Sequence, residues 1–247
     1  MFKRKRAPTS CLETALDKKF LEKQDGVVSQ GINTGPLLFA QSNSHDHTRF
    51  DLRHRLFGKH SNERIILHAG SPMGWGSYRP WVFETIDEYI CNINAVIKAV
   101  EAVSGSYLAI RFRPNPGINL EDFKMSLRES NCYGIYSEGS FEEHLLGSDL
   151  LISYSSTTIV QSLQNHVPVL QYDPDGKYEH IQGQVLSTDG KNHLSTVYSV
   201  LSENDLMPAL DWWKEHHSEK MNIRLDWSEH IIDTDNNMEW LTTMGLK

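Results

Sequence analysis

The stretch SDLLISYSSTTIVQSLQNHVPVLQYDP, Ser148 to Pro174, sets four hydroxyl side chains, Ser155, Ser156, Thr157 and Thr158, between an apolar run and a helix-like one. Where a buried strand turns into a helix, free N–H groups and the positive end of the helix dipole gather. Small side chains let a phosphate approach closely and hydroxyls add donors, so an anionic ligand is expected there. Plain capping is the alternative. A single Ser would satisfy it, and four hydroxyls in a row exceed what a cap requires.

Three other segments carry chemistry-bearing residues at the ends of apolar runs. HAGSPMGWGSYRP begins with His68, Gly70 and Ser71, and its glycines let a loop bring backbone close to a ligand. No Gly-Lys-Ser/Thr follows and no GxGxxG is present, so a flexible surface loop is the competing reading. His68 is the one strand-end histidine placed to reach a reacting group, although a loop histidine bonded to backbone explains it as well. RFRPNPG puts Arg111 and Arg113 on the same side of a strand, a pair suited to a phosphate or carboxylate. A salt bridge to Glu121-Asp122 is the alternative. YSEGSFEEH, Tyr136 to His144, is a polar turn able to meet a nucleobase through backbone groups, or simply a helix cap.

These residues need a scaffold, and the totals bound it. The chain has 247 residues, 39% hydrophobic and 23% charged, which fits a globular protein of one large domain or of a domain plus an extra segment. A net charge of −8 disfavours nucleic-acid binding. The basic cluster Lys3-Arg4-Lys5-Arg6 reads as a solvated terminus, with contact to an anionic membrane surface as the other reading. No apolar stretch reaches the ~20 residues of a membrane span, and no secretory signal is expected. Cys11, Cys91 and Cys132 read as reduced thiols. Twelve histidines form no HExxH or CxxC…H pattern, so no metal is expected. Asp173-Pro174-Asp175 reads as a turn at a strand exit rather than a metal-binding DxD.

Residues 1–62 read as an irregular, linker-like segment with breakers at Gly26, Gly31, Gly35 and Pro36 and a short helix near Thr48 to Phe57. From Glu63 apolar strands alternate with helices. RIILHAG, YLAIRF, CYGIY, DLLISY and VPVLQYD read as strands. FETIDEYICNINAVIKAVEAVSG, LEDFKMSLRE, SFEEHLLG with Ser140 as cap, and STTIVQSLQNH read as helices. HLSTVYSVLS and DLMPALDWWKEHHSEK are both expected to be helical. The fold class is therefore α/β: a Rossmann-like parallel sheet with helices on both faces, an irregular N-terminal segment and a helical C-terminal end. The expected domains are 1–62, a nucleotide-sugar-binding domain at 63–221, and a tail at 222–247 packing on the body.

The order ILHAGSP, IRFRPNP, SDLLISYSSTTIVQSLQNHVPVLQYDPDGKY resembles the C-terminal half of GT-B fold glycosyltransferases, over roughly residues 63–180. It is most similar to the surface-polysaccharide and CDP-glycerol glycerophosphotransferase-like group. The resemblance implies a single GT-B-type lobe that holds the nucleotide of an activated donor, with the diphosphate at Ser155 to Thr158. It implies that Gln161 occupies the place of a ribose-binding Glu, and that Arg113 replaces the histidine of that group's HP. It also implies that the N-terminal half, which supplies the acceptor site and often the base, lies outside this sequence.

The leading expectation is a metal-independent, glycosyltransferase-like protein for surface polysaccharide synthesis. Its binding residues would be Gly70, Ser71, Arg111, Arg113, Ser155, Ser156, Thr157, Thr158 and Gln161, with His68 the sole catalytic candidate. Arginine and the hydroxyl turn would offset charge on the leaving nucleotide diphosphate. No permanent cofactor is expected; a CDP-, UDP- or CMP-linked donor is the substrate. The expected partners are a glycan or lipid-linked acceptor and a chain supplying the other lobe, in the cytoplasm or at the inner membrane face. Two alternatives stand. RPNP echoes the HPNP of sugar-nucleotide 2-epimerases, and a non-catalytic nucleotide-sugar-binding subunit would need a partner chain.

Overall fold

The computed structural model describes residues 10–12, 31–33, 49–70, 72, 84–114, 117–174, 176–177, 179–188, 190–217 and 225–230. The chain divides into two units, residues 1–43 with 226–247 and residues 44–225. In the first, β1 (Ser10–Leu12) pairs in parallel with β2 (Gly31–Asn33).

The larger unit is a seven-stranded sheet. Its strands are β3 (Arg64–Ala69), β4 (Ser106–Arg111), β5 (Tyr133–Tyr136), β6 (Leu150–Ser153), β7 (Val169–Tyr172), β8 (Gln184–Val185) and β9 (Val197–Val200). Every pairing is parallel and the order is β5-β4-β3-β6-β7-β9-β8. β6, β7 and β9 are buried at every residue, β3 and β4 at all but one, while the edge strand β5 is only half-buried. Unbroken burial needs cover on both faces, as parallel strands have.

The helices are α1 (Arg49–Phe57), α2 (Ile86–Ala102), α3 (Leu120–Ser126), α4 (Phe141–Leu146), α5 (Thr158–Gln164) and α6 (Glu203–His216). α2 buries Tyr89, Ile93, Val96, Ile97 and Val100 along one stripe and packs against α6. Local chemistry fixes the helix starts. Thr85 and Glu88 form a reciprocal capping box at α2, with Glu88 N–H donating to Thr85 Oγ1 at 3.1 Å and Thr85 N–H to Glu88 Oε2 at 2.7 Å. Asn119, Ser140 and Ser202 accept from backbone N–H groups at α3, α4 and α6.

One expected helix is a strand. Val197–Val200, inside HLSTVYSVLS, forms β9 between β7 and β8 and is buried on both sides. A short apolar run carries no period, so helix and central strand look alike in it.

At the amino end of the sheet, Asp149 ties three segments together. Its carboxylate accepts from Arg49 of α1 at 2.7 Å, from Arg53 at 3.1 Å through both oxygens, and from the Ile65 backbone N–H of β3 at 2.8 Å. Arg53 also donates to the carbonyls of Ser61 and Glu63.

Candidate functional site

The strand order reverses between β3 and β6. From β3 the chain runs outward through β4 and β5; from β6 it runs the other way through β7 and β9. Neighbouring strand exits then diverge, and a crevice opens beyond their carboxyl ends where ligands of open α/β sheets bind. A cavity of about 30 Å3 lies at this point, lined by His68, Ala69 and Gly70 of the β3 exit and Ile152, Ser153 and Tyr154 of the β6 exit. Glu84, Tyr89, Asn92, Ile93, Val96 and Tyr172 complete its walls. A smaller one, about 10 Å3, adjoins it across Glu84, Asn92, Tyr154 and Tyr172 and reaches Asp173, Pro174 and Lys177.

Most polar groups of the larger recess are committed to holding its shape. Tyr89 Oη donates to the Gly70 carbonyl at 3.1 Å, and Ser153 Oγ donates to the Ala69 carbonyl at 2.6 Å. Asn92 Nδ2 donates to Glu84 Oε1 at 3.0 Å. His68 is buried, and its Nδ1 has no hydrogen-bond partner among the described residues. Burial depresses the His68 imidazole to about 4, so the ring is neutral. Burial pushes the Glu84 carboxyl up to about 7; Asn92 opposes this, the charge of Glu88 adds to it, Lys177 opposes and Asp173 adds.

Glu88 stands nearby in the opposite state. The backbone N–H of Thr85 first, then Lys177 and the Thr85 hydroxyl, hold it down at about 2. Lys177 Nζ reaches Glu88 Oε1 at 3.1 Å. Two carboxylates four residues apart thus differ in protonation because one is buried and the other is exposed and hydrogen-bonded.

Of the residues expected from sequence, His68 and Gly70 line the crevice, and Ser71 lies outside the described residues. Ser155, Ser156 and Thr157 follow its β6 wall but precede α5, which begins at Thr158. The turn is tight: Ser155 is buried with φ +48°, a left-handed conformation unusual for serine. Ser156 Oγ accepts from Thr158 N–H at 3.3 Å, and Thr158 Oγ1 bonds Ser153 Oγ at 3.1 Å. Thr157 is exposed and its side chain makes no capping bond. The hydroxyl run therefore builds the strand-to-helix turn, with Thr157 the member left facing out. Gln161 sits half-buried one turn into α5.

The arginines divide. Arg111 donates to the carbonyls of Glu138 and, at 3.1 Å, Gly139, so it fastens the loop after β5, and burial lowers its pKa. Glu121 and Asp122 pair instead with Lys124 and Asn119. Arg113 is exposed past the end of β4, one strand from the crevice. The Tyr136–His144 segment has its two carbonyls at Glu138 and Gly139 taken by Arg111 and its Ser140 taken by the α4 cap.

Glu84 was not visible as a site residue in the sequence. It precedes the N-cap Thr85 and reads there as ordinary helix-start acidity; only the fold buries it. Among the described residues no three His, Cys, Asp or Glu side chains group as a metal site, and no helix is long and apolar enough to cross a membrane.

The sequence matches no protein-family model and no curated protein. Among solved structures it is similar to Anabaena Alr3699/HepE in complex with UDP-glucose, at 12% identity and TM-score 0.48, over 91% of this chain and 58% of that one. It is also similar to WaaG, a glycosyltransferase involved in lipopolysaccharide biosynthesis, at 14% identity and TM-score 0.47, over 89% and 56%. The GtfA/B complex is similar at 11% identity and TM-score 0.42, over 88% and 40%. The chain spans less than two thirds of the length of each, and at TM-scores below 0.5 these likenesses assign no substrate, reaction or site.

Proposed function

We propose that the chain is the donor-binding half of a glycosyltransferase-like enzyme, with residues 63–221 taking a nucleotide-activated sugar or polyol phosphate for surface polysaccharide synthesis. The observation that carries this reading is the crevice at the reversal of strand order, with Gly70 at one lip and Ser153 and Tyr154, where the strand-to-helix turn begins, at the other. The order of the ILHAGSP, RFRPNP and SYSSTT segments supports the same reading. The donor's phosphates lie along the outer face of the turn, at Thr157 and the backbone beside it, with Arg113 within reach of charge leaving the crevice. The acceptor and the opposite wall come from a facing lobe, of the same protein or of a partner chain.

Gly70 offers a clean test. Its φ is not positive, and a Cβ built there meets no atom within 4 Å among the described residues, so the first carbon of a side chain has room. In Gly70→Leu that side chain occupies the crevice lip. A thermal-shift panel of CMP, CDP, UDP, GDP and their sugars is expected to raise the melting midpoint of the parent with one nucleotide. The variant, with its own midpoint unchanged, is expected to lose the response. No shift with any nucleotide, or an undiminished one in Gly70→Leu, overturns the reading.

A further inference from the structure

The recess at the strand-order reversal contains two buried polar groups that the fold leaves incompletely matched. His68 and Glu84 are each more than nine-tenths buried. Nδ1 of His68 has no partner, and Glu84 has its one hydrogen bond, from Asn92, on Oε1, with none on Oε2 among the described residues. His68 Nδ1 is enclosed by the fold, whereas Glu84 Oε2 is not among the enclosed unpartnered atoms, so Glu84 Oε2 is an acceptor that a guest in the recess can meet. Among the other polar groups lining the recess, Tyr89 Oη and Ser153 Oγ are spent on the carbonyls of Gly70 and Ala69.

Size and chemistry narrow the guest. The cavity of about 30 Å3 exceeds the roughly 10–15 Å3 that one water needs. It is far too small for a sugar ring or a base, yet it admits a single hydroxyl group. We propose that the recess is a hydroxyl subsite, taking one hydroxyl of a sugar or polyol ligand between the Glu84 carboxyl and the His68 ring. The proposal rests on the reading of the crevice as a donor site and specifies the part of the donor that reaches its floor.

The electrical state of the recess suits that guest. Burial keeps Glu84 protonated up to about 7 and His68 neutral down to about 4, so between those limits both are uncharged. A protonated carboxyl offers an O–H, and a neutral imidazole offers one donor and one acceptor nitrogen. Nδ1 is enclosed, so a guest that bonds the His68 ring in this subsite does so through Nε2. A hydroxyl donates and accepts at once and so satisfies both walls. A phosphate oxygen only accepts and an ammonium only donates, and each would bring a charge into a site built without a fixed counter-charge. Of the charged groups acting on Glu84, Lys177 and Asp173 line the smaller recess, and Glu88 is paired with Lys177.

The test reads Glu84 directly. Protein labelled with 13C at the glutamate carboxyl is observed by NMR at pH 6, with Glu84→Gln identifying the resonance. Glycerol, glucose, CDP-glycerol and UDP-glucose are added, and CDP and UDP, whose only sugar hydroxyls are those of the ribose, serve as controls lacking the transferred sugar or polyol. Saturable movement of the Glu84 resonance by the polyol-bearing additions, absent with CDP and UDP, supports the subsite. His68→Phe and the milder His68→Asn are expected to weaken that response at least tenfold while the melting midpoint shows the protein folded. A resonance unmoved by all four polyols, or moved equally by UDP, overturns the proposal. If nucleotides bind while Glu84 stays fixed, the donor reading stands and the subsite falls. If glycerol or glucose moves Glu84 while no nucleotide binds, the subsite stands and the donor reading falls.

Discussion

Replacing Glu84 by Gln keeps the acceptor that Asn92 donates to and removes the ionisable proton, so it isolates one linkage term. The folded midpoint near 7 lies above the ordinary 4.5, so the native state binds this proton more tightly than the unfolded chain does. The resulting stabilisation is complete below pH 4.5 and fades as pH rises through about 7, after which nothing further is lost. A midpoint moved from 4.5 to about 7 corresponds to about 3 kcal/mol. Gln carries no such loss. The stability difference between Glu84→Gln and the parent should therefore grow in favour of Gln by about 3 kcal/mol from pH 4.5 to 8.5. In urea titrations that is a relative midpoint shift of roughly 1 M. His68 acts in the opposite sense: its depressed midpoint gives stability that is present above 6.5 and lost as pH falls through about 4. Both proteins share that term and it cancels. A difference that stays flat across this range, or one that turns against Gln as pH rises, would show that Glu84 is ionised in the fold and refute the burial argument.

Two further outcomes follow from contacts in the same unit. Asp149→Ala leaves the half-buried Arg49 and Arg53 facing each other and the Ile65 N–H unmatched, and should cost about 3–5 kcal/mol, read as a fall in the urea midpoint. Thr85→Ala breaks the capping box of α2 and should cost about 1 kcal/mol, or roughly 2–4 °C in melting midpoint. An unchanged midpoint would mean the box forms only alongside stronger constraints on α2.

Much of the scaffold was legible because the strands that matter are short apolar runs ending in small or polar residues, as in RIILHAG and DLLISY. α2 was plain from its apolar stripe and its closing Gly105. β9 was misread because Val197, Tyr198 and Val200 pack on both faces and show no alternation. β8 spans two residues, too few for any pattern. In the site, His68 and Gly70 follow from the strand-end rule. Arg111 did not behave as the sequence suggested, because backbone carbonyls of a neighbouring loop satisfy a guanidinium as well as an anion does. Glu84 could not be read at all: its raised midpoint is a property of what surrounds it, and residues as distant in the chain as Tyr172 supply the surroundings.

The Asp149 network bears on the crevice from the opposite end of the strands. By gripping the start of β3 while sitting one residue before β6, this carboxylate clamps the same two strands whose exits frame the opening. They behave as tongs riveted at the handle. A slackened rivet would let the jaws wander, so ligand affinity should respond to a substitution about a strand's length away that touches no ligand.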